Sequence, residues 1–226
     1  FRRSTDRYAN DVGTGGRVMW IRSNNFEDGG PIPGENAFAV VNPEAHISFS
    51  SNRNPHLEWG EIPNGTRSFA ITVVDQTVPT VGNDVNQEGR EVPSDLPRTT
   101  FTHWLIIDFS PETRSTFEGE FSESVLPHGK PGRTGRPREG INDYTGWFAE
   151  DESMAGTYKG YDGPCPPWND SLIHHYVFSV LALDVESLDI ASDFTTADLE
   201  NAAEGNILDS ASITGIYALN PRLLPY

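Results

Sequence analysis

Three stretches of the chain alternate apolar and polar side chains with a period of two, which is typical of strands that bury at least one face. They lie at residues 68–75, 101–109 and 174–183. In each stretch a polar residue stands at one end of the apolar stripe. The predicted faces are Phe69, Ile71, Val73 and Asp75 in the first stretch, His103, Leu105, Ile107 and Phe109 in the second, and His174, Tyr176, Phe178, Val180 and Ala182 in the third.

Shorter apolar patches predict further strands, at 18–21, 37–41, 46–50 and 212–219. One stretch, 194–205, predicts a helix, because Thr195 can act as the N-cap, Asp198 can complete a capping box and Gly205 suits the C-cap. No internal repeat interrupts this order of elements. The pattern predicts an all-β fold with minor α content: an antiparallel two-sheet β-sandwich with a short C-terminal helix.

Length and composition agree with one large β domain. The chain has 226 residues, and its 21 glycines and 17 prolines indicate many turns and argue against a helical bundle. We predict an N-terminal arm at residues 1–24 and a single domain at 25–226. Two connections, 76–100 and 110–160, show almost no period, and loops of that length in a compact domain are usually functional or inserted.

The charge of the chain limits its partners. With 16 basic and 33 acidic residues, the net charge of −17 opposes binding to nucleic acid and to anionic lipid. No apolar run is long enough to cross a bilayer, so no stable membrane insertion is expected. The single cysteine, Cys165, excludes an intrachain disulfide. Residue 1 is Phe rather than Met, which leaves open whether an upstream segment was removed and whether the protein is cytoplasmic or exported.

The polar residues at the strand ends are candidates for chemistry. Asp75, His103, His174 and Tyr176 would meet beside a rigid loop that contains Pro166 and Pro167 and form a pocket with apolar flanks. Two donating histidines, with a carboxylate that orients one of them, would hold an anion. Neutral histidines with the carboxylate would make a metal site, and the same groups could perform acid–base catalysis. Spacing alone does not separate these alternatives.

Other reactive or charged residues have structural interpretations. Cys165 is interpreted as a small packed hydrophobe, because the nearby Asp162 and Asp170 have the wrong charge to activate a thiol. The aromatic residues between 144 and 148 are expected to pin the long loop to the body. The basic cluster at Lys130, Arg133, Arg136 and Arg138 is interpreted as a solvated loop face.

The order of these motifs resembles the phosphatidylethanolamine-binding protein family, and in particular its bacterial and archaeal Raf-kinase-inhibitor-like branch. The two signature regions are matched by Asp75 with Pro79, by His103-Trp104, and by Gly163-Pro-Cys-Pro-Pro167 followed by His174-His-Tyr176. The likeness continues at 54–59, 68–70, 140–144, 195–205 and 214–217. It covers roughly residues 25–219 in pieces, and the joint order is more specific than any single motif.

The resemblance implies a two-sheet β-sandwich with a pocket for small anions. By motif position, its ligand-binding residues would be Asp75, His103, Pro166, Pro167, His174 and Tyr176. A cis peptide between Val78 and Pro79 is also implied. Members of the family bind phosphate, phosphoryl head groups and similar anions, and some eukaryotic members regulate kinases or proteases through protein contacts.

The chain departs from the family pattern in places. Thr77 stands where the family has a second acidic residue, and His175 stands where the pocket histidine is usually followed by a basic residue. Two insertions, at 80–100 and 145–158, fall near the expected pocket mouth. We expect these loops to reshape or cover the mouth of the pocket. A protein partner would also bind there.

We therefore expect a non-catalytic module for a small anionic or phosphorylated ligand, without cofactor or metal. His103, His174 and Tyr176 would donate hydrogen bonds, Asp75 would orient a histidine and the prolines would shape the floor. The alternatives are a hydrolase or isomerase that uses the same residues, a metal site, and a protein inhibitor of a kinase or protease. Ser171, the nearest serine, has no nucleophile motif around it, which disfavours the enzyme.

Overall fold

The structure, a computed structural model, describes residues 18–224, which form mainly antiparallel strands with short helices. In chain order the strands are β1 (Trp20–Arg22), β2 (Ala39–Asn42), β3 (His46–Phe49), β4 (Leu57–Gly60), β5 (Ser68–Pro79), β6 (Arg98–Phe109), β7 (Ser115–Thr116), β8 (Gly129–Lys130), β9 (Arg138–Glu139), β10 (Thr157–Tyr158), β11 (His174–Leu183) and β12 (Ile207–Tyr217). The α-helices are α1 (Tyr144–Trp147) and α2 (Thr196–Ala203), and single 3-10 turns lie at Gly34–Asn36 and Pro221–Leu223.

A five-stranded antiparallel sheet, ordered β12-β11-β5-β6-β9, forms the centre of the fold. A three-stranded sheet, β1-β4-β7, faces it, and β2 and β3 form a separate antiparallel hairpin. The pair β8–β10 is parallel, unlike the rest. The three stretches with clear alternation are the middle strands of the large sheet, and β11 has the predicted bounds.

The main core lies between the two sheets, as expected for a sandwich. Trp59 of the small sheet contacts Phe69 and Phe109 of the large one, with ring centroids 5.6 and 6.2 Å apart. The outer face of the large sheet is apolar as well, since Leu105 and Leu181 pack under α2. The two-sheet β-sandwich with a short C-terminal helix is therefore confirmed.

Helix α2 begins where the sequence predicts. The Asp198 carboxylate accepts hydrogen bonds from the backbone N–H and the hydroxyl of Thr195, both at 2.8 Å. Leu199 is fully buried against the large sheet. Gly205 follows the helix with φ of 80°, a left-handed conformation that glycine adopts without strain. Capping and one buried face together define this element.

Strand β6 contains bulges that the alternation did not predict. Val73 and Val74 of β5 lie opposite Trp104 and Thr102, so His103 is an extra residue between them. A second irregularity near Asp108, whose φ is 64°, turns Phe109 into the main core. Leu105 and Ile107 instead lie under α2. The predicted common face of His103, Leu105, Ile107 and Phe109 is therefore wrong, because each bulge shifts the alternation by one residue.

The expected cis peptide between Val78 and Pro79 is also wrong. These residues continue strand β5, opposite Thr99 and Arg98, and the extended backbone there is trans. In residues 18–224 the cis peptide bond joins Arg136 to Pro137.

The basic cluster is not simply a solvated face. The Lys130 side chain is buried, and its ammonium group lies 3.0 Å from a carboxylate oxygen of Asp162. Arg138 pairs with the buried Asp108 at 2.7 Å. The acidic partners lie far away in sequence, so the clustering of positive charge gave no sign of them.

The division into an arm at 1–24 and a domain at 25–226 stays a prediction. Residues 1–17 and 225–226 of those ranges lie outside the described residues. In the described part of the arm, β1 pairs with β4 and Met19 is buried in the main core. Within residues 18–224, no helix has the length and apolar character needed to cross a membrane.

Candidate functional site

A cavity of about 430 Å³ opens where the ends of β5, β6 and β11 meet. The strand register explains the meeting, because Tyr176 of β11 lies opposite Asp75 of β5, and Asp75 lies opposite Phe101 of β6. All the residues predicted for the site line this cavity: Asp75, His103, Pro166, Pro167, His174 and Tyr176. The structure thus brings together every side chain that the motifs singled out.

His174 is held between two carboxylates. Its Nδ1 atom donates to Asp75 Oδ2 at 2.6 Å, and its Nε2 atom donates to Asp170 Oδ2 at 3.0 Å. Arg98 in turn donates to both carboxylate oxygens of Asp170, at 2.6 and 3.1 Å. This buried row of alternating charges therefore uses both ring nitrogens of His174.

The two carboxylates keep His174 protonated. Burial alone lowers the pKa of His174, but the hydrogen bonds to Asp170 and Asp75 outweigh it and raise that pKa to about 9. Burial has the opposite effect on Asp75 and raises its pKa. The hydrogen bond and the charge of His174 more than compensate, so the pKa of Asp75 lies below its usual value. Thr77 adds to this effect, since its backbone N–H donates to Asp75 at 2.7 Å and its hydroxyl also donates to that carboxylate.

Both nitrogens of His174 already donate within the protein, so this geometry does not favour the expected role of His174 as a hydrogen-bond donor to the ligand, which stays a prediction. The expectation that Asp75 orients a histidine agrees with the structure, and the histidine is His174. The sequence reasoning missed Asp170 and Arg98. Spacing offers one signal for Asp170, which precedes His174 by four positions, but a loop without periodicity does not show that the two side chains meet.

His103 is fixed in one tautomer by the backbone. Its Nδ1 atom lies 2.7 Å from the carbonyl oxygen of Asp162, and because a carbonyl only accepts, Nδ1 carries the hydrogen. Asp162 N–H donates back to the carbonyl of His103 at 3.0 Å. Burial lowers the pKa of His103, although the charge of Asp75 opposes this. The ring is thus neutral near pH 7, with its Nε2 lone pair left for the cavity.

The Asp162 side chain fixes the position of the backbone carbonyl that binds His103. Its carboxylate accepts from the side-chain amides of Asn52 and Asn142, both at 2.8 Å, and pairs with Lys130. All of these groups are buried. A fully hydrogen-bonded buried charge holds the backbone rigidly, because losing Lys130 would leave an unpaired buried charge and losing either amide would leave a carboxylate oxygen short of a donor.

Tyr176 lines the cavity, and its hydroxyl group is buried without a hydrogen-bond partner among the described residues. The side chain is 1% exposed, and its oxygen has no hydrogen-bond partner in residues 18–224. Burial raises the pKa of this phenol well above its ordinary value, so the group remains a donor. The neighbouring Tyr144 hydroxyl, by contrast, donates to the Gly163 carbonyl at 2.7 Å. A buried hydroxyl without a partner is costly, and a ligand atom would satisfy it.

The proline loop closes one side of the cavity. Gly163 lies so close to the Asn36 carbonyl that a Cβ atom there would be 2.3 Å from its oxygen, so only glycine fits. Pro166 and Pro167 follow and supply an apolar wall without N–H donors. Cys165 also lines the cavity, and burial raises its pKa to about 12, in agreement with a packing role.

The rest of the wall is mainly apolar. Phe49 and Trp147 line it although their side chains are 56% and 52% exposed, so they form the rim. Val85 and Asn86 come from the first predicted insertion, and Phe148 from the second. The insertions therefore do lie at the cavity. The other lining residues are Phe38, Ile47, Val78, Pro79, Thr80, Gly82, Phe101 and Tyr144.

Three segments of the rim are joined by one histidine. His46, at the start of β3, stacks on Trp168 of the proline loop with ring centroids 3.8 Å apart. Its Nε2 atom lies 2.6 Å from a carboxylate oxygen of Glu88 in the first insertion. The Trp168 N–H donates to Asn86 of the same insertion at 3.0 Å. These contacts fix the hairpin and the insertion against the proline loop.

A metal site finds little support in this geometry. Within the described residues, no group of three or more His, Cys, Asp or Glu side chains is arranged to hold a metal ion. The nitrogens of His174 are engaged by carboxylates, and the second histidine, His103, leaves one nitrogen free.

The fold and the cavity define a β-sandwich protein with a pocket at the end of its central strands. Residues 22–218 match the model of the phosphatidylethanolamine-binding protein family, and the chain belongs to that family. A protein of the UPF0098 group from Aquifex aeolicus is 30% identical over 203 residues, which cover 90% of each chain. YbhB of Escherichia coli is 26% identical over 88% of this chain and 100% of its own length.

Solved structures share the fold. The crystal structure of Escherichia coli YbcL, described as a new member of the mammalian family, has a TM-score of 0.62 and 24% identity, covering 89% of this chain and 99% of that chain. A homologue from Chlamydia trachomatis has a TM-score of 0.59 and 24% identity, covering 88% and 97%. The resemblance inferred from the sequence motifs is confirmed, including its bacterial and archaeal relatives.

Proposed function

We propose that this chain is a binding module for a small phosphorylated ligand whose phosphoryl head group carries an apolar substituent. The observation that carries the proposal is the Tyr176 hydroxyl, which is buried without a partner at the polar end of a largely apolar cavity. The head group would accept from this hydroxyl and contact His103, while the substituent would lie between the aromatic side chains of the rim.

The size and lining of the cavity support a ligand larger than inorganic phosphate. A volume of about 430 Å³ lies in the range of pockets that hold drug-sized molecules. Phe49 and Trp147 leave more than half of their side chains exposed at the rim, and a substituent would cover them. The name of the family refers to phosphatidylethanolamine, which likewise joins a phosphoryl group to apolar chains.

The alternative of a hydrolase or isomerase receives less support. Cys165 lies in the wall, and its raised pKa keeps it a thiol rather than a nucleophilic thiolate. The Ser171 hydroxyl donates to the Val92 carbonyl at 2.8 Å. His174 has no free nitrogen with which to move a proton. A protein partner bound at the insertions stays a prediction.

Calorimetric titration with phenyl phosphate and with inorganic phosphate at pH 6.5 tests the proposal. We expect phenyl phosphate to bind at least about tenfold more tightly, because the ring buries apolar surface. Tyr176→Phe should weaken phenyl phosphate binding by about tenfold or more, the value of one hydrogen bond to a charged group.

The matched control is Tyr158→Phe. The Tyr158 hydroxyl donates to the Met154 carbonyl, and Tyr158 is not part of the cavity wall. This variant should bind phenyl phosphate as the unaltered protein does. Absence of binding by both phosphates to the folded protein, or equal loss of affinity in the two tyrosine variants, would contradict the proposal.

A further inference from the structure

The polar end of the cavity is poor in positive charge. None of the described residues in its wall is a lysine or an arginine. The Asp75 carboxylate, held in its ionised form, lies in that wall. A head group with two negative charges would therefore approach a carboxylate without meeting an unpaired cation, which is unfavourable in a buried site.

The cation nearest to the head group is already neutralised. Protonated His174 lies between the carboxylates of Asp75 and Asp170, and Arg98 balances the second of these. The four groups carry two positive and two negative charges, so the row is neutral as a whole. Both His174 nitrogens donate within the row. The row thus supplies no net charge to the cavity, and neither ring nitrogen of His174 is free to donate to a ligand.

His103 presents an acceptor rather than a donor. Because its Nδ1 hydrogen is bound by the Asp162 carbonyl, the neutral ring turns a lone pair at Nε2 toward the cavity. Protonation of this nitrogen is opposed by burial among aromatic rings. The ring centroids of Phe101 and Tyr176 lie 5.0 and 5.1 Å from that of His103. The titratable and charged groups around it, from all the elements packed there, are Asp75, Asp143, Tyr144, Asp162, Cys165, His174 and Tyr176.

We propose that the cavity selects oxyanion head groups that still carry a proton, and so prefers phosphate monoesters to sulfate esters and sulfonates. This inference rests on the proposed function. The bound monoester is a monoanion whose P–O–H donates to Nε2 of His103, while another of its oxygens accepts from the Tyr176 hydroxyl. A sulfate ester has no proton near pH 7 and would set a bare oxygen against the lone pair of His103.

The preference for protonated head groups makes the affinity depend on pH. A phosphate monoester loses its second proton with a pKa of about 6. Because the bound form is the monoanion, binding above that pH takes one proton from solution, and the proton stays on the phosphoryl oxygen that donates to Nε2 of His103. Phosphate affinity should fall about tenfold for each pH unit above the second pKa, and sulfate affinity should show no such dependence.

The experiment compares phenyl phosphate with phenyl sulfate, which share the apolar ring and differ in the acid. Calorimetric titrations at pH 6.5 and 7.5, in buffers with different heats of ionisation, give both the affinities and the number of protons taken up. We expect phenyl sulfate to bind at least about tenfold more weakly than phenyl phosphate at pH 6.5. At pH 7.5, binding of phenyl phosphate should take up close to one proton.

His103→Gln separates the role of this lone pair from the shape of the cavity. The glutamine amide can donate from nearly the same place without titrating, so the preference for phosphate over sulfate should shrink and proton uptake should decrease. His175→Gln is the matched control, because His175 neighbours the site in sequence, but its side chain is exposed and is not part of the wall. This variant should keep both properties.

Each outcome decides between the inferences. Equal affinity for the two probes, or phosphate binding without proton uptake at pH 7.5, would overturn the selection and leave the proposed binding function intact. Absence of binding by both probes at both pH values would refute the binding function and the selection together. The measurements on the unaltered protein decide the matter even where His103→Gln fails to fold.

Discussion

The dependence of stability on pH tests the charge state of His174. Its pKa is about 9 in the folded protein, against an ordinary value of 6.5. Folding therefore retains a proton that the unfolded chain releases above pH 6.5. This contribution is fully present below pH 6.5 and is lost as the pH rises through 9.

The size of the effect follows from the shift. One pKa unit corresponds to about 1.4 kcal/mol, so the shift makes the free energy of unfolding fall by about 3 kcal/mol between pH 6.5 and 9. The lowered pKa of His103 acts in the opposite direction but only below pH 6.5. The raised pKa of Cys165, at about 12, changes the free energy of unfolding only above pH 9. Between those limits His174 should dominate the slope.

Urea unfolding at half-unit steps from pH 6.5 to 9 measures the slope, for the unaltered protein, Asp170→Asn and His175→Gln. We expect a decline of roughly 1 kcal/mol for each pH unit in the unaltered protein and in His175→Gln. Asp170→Asn removes one of the two carboxylates and should at least halve the slope. A flat profile in the unaltered protein, or an unchanged slope in Asp170→Asn, would refute the assignment of His174 as a buried cation.

Further predictions concern the interior and the helix. Lys130→Met breaks the buried ion pair with Asp162 and should lower the free energy of unfolding by about 3–5 kcal/mol. Arg22→Met breaks the exposed pair with Glu58 and should lower it by at most about 1 kcal/mol. Equal losses for the two variants in urea unfolding would contradict this prediction. Thr195→Ala should cost about 1 kcal/mol, seen as a lower Tm, and an unchanged Tm would contradict a role for the cap. The Cys165 thiol should react with a disulfide reagent at pH 8 at least about a hundredfold faster in unfolded than in folded protein, and comparable rates would refute its raised pKa.

The sequence predicted those features that depend on local order. The bounds of β11, at His174–Leu183, followed from simple alternation, and the start of α2 followed from Thr195 and Asp198. The residues assigned to the site by motif position all reached one cavity, because neighbouring antiparallel strands present their ends side by side. Periodicity and motif order therefore sufficed for the sandwich and for naming six residues that line one cavity.

Features that depend on distant partners were not predicted. The bulge at His103 exists only against the register of β5, and alternation along one strand does not reveal its partner. The second acceptor of His174 is Asp170, in a loop without a period. The aromatic rim is assembled from elements that are distant in sequence, with Phe49 at the end of β3 and Trp147 at the end of α1. Long-range packing, rather than local propensity, determines all of these contacts.

The acceptor that fixes the tautomer of His103 is a main-chain atom of Asp162. A substitution at position 162 would change the buried charge and weaken the support from Lys130, Asn52 and Asn142, yet every replacement would still carry a carbonyl oxygen. The proton on Nδ1 is therefore protected against mutation in a way that a side-chain acceptor could not provide. In a screen for variants in which the His103 proton moves from Nδ1 to Nε2, we expect substitutions that displace the backbone near residue 162. We expect no variant in which the replacement of one acceptor side chain has this effect.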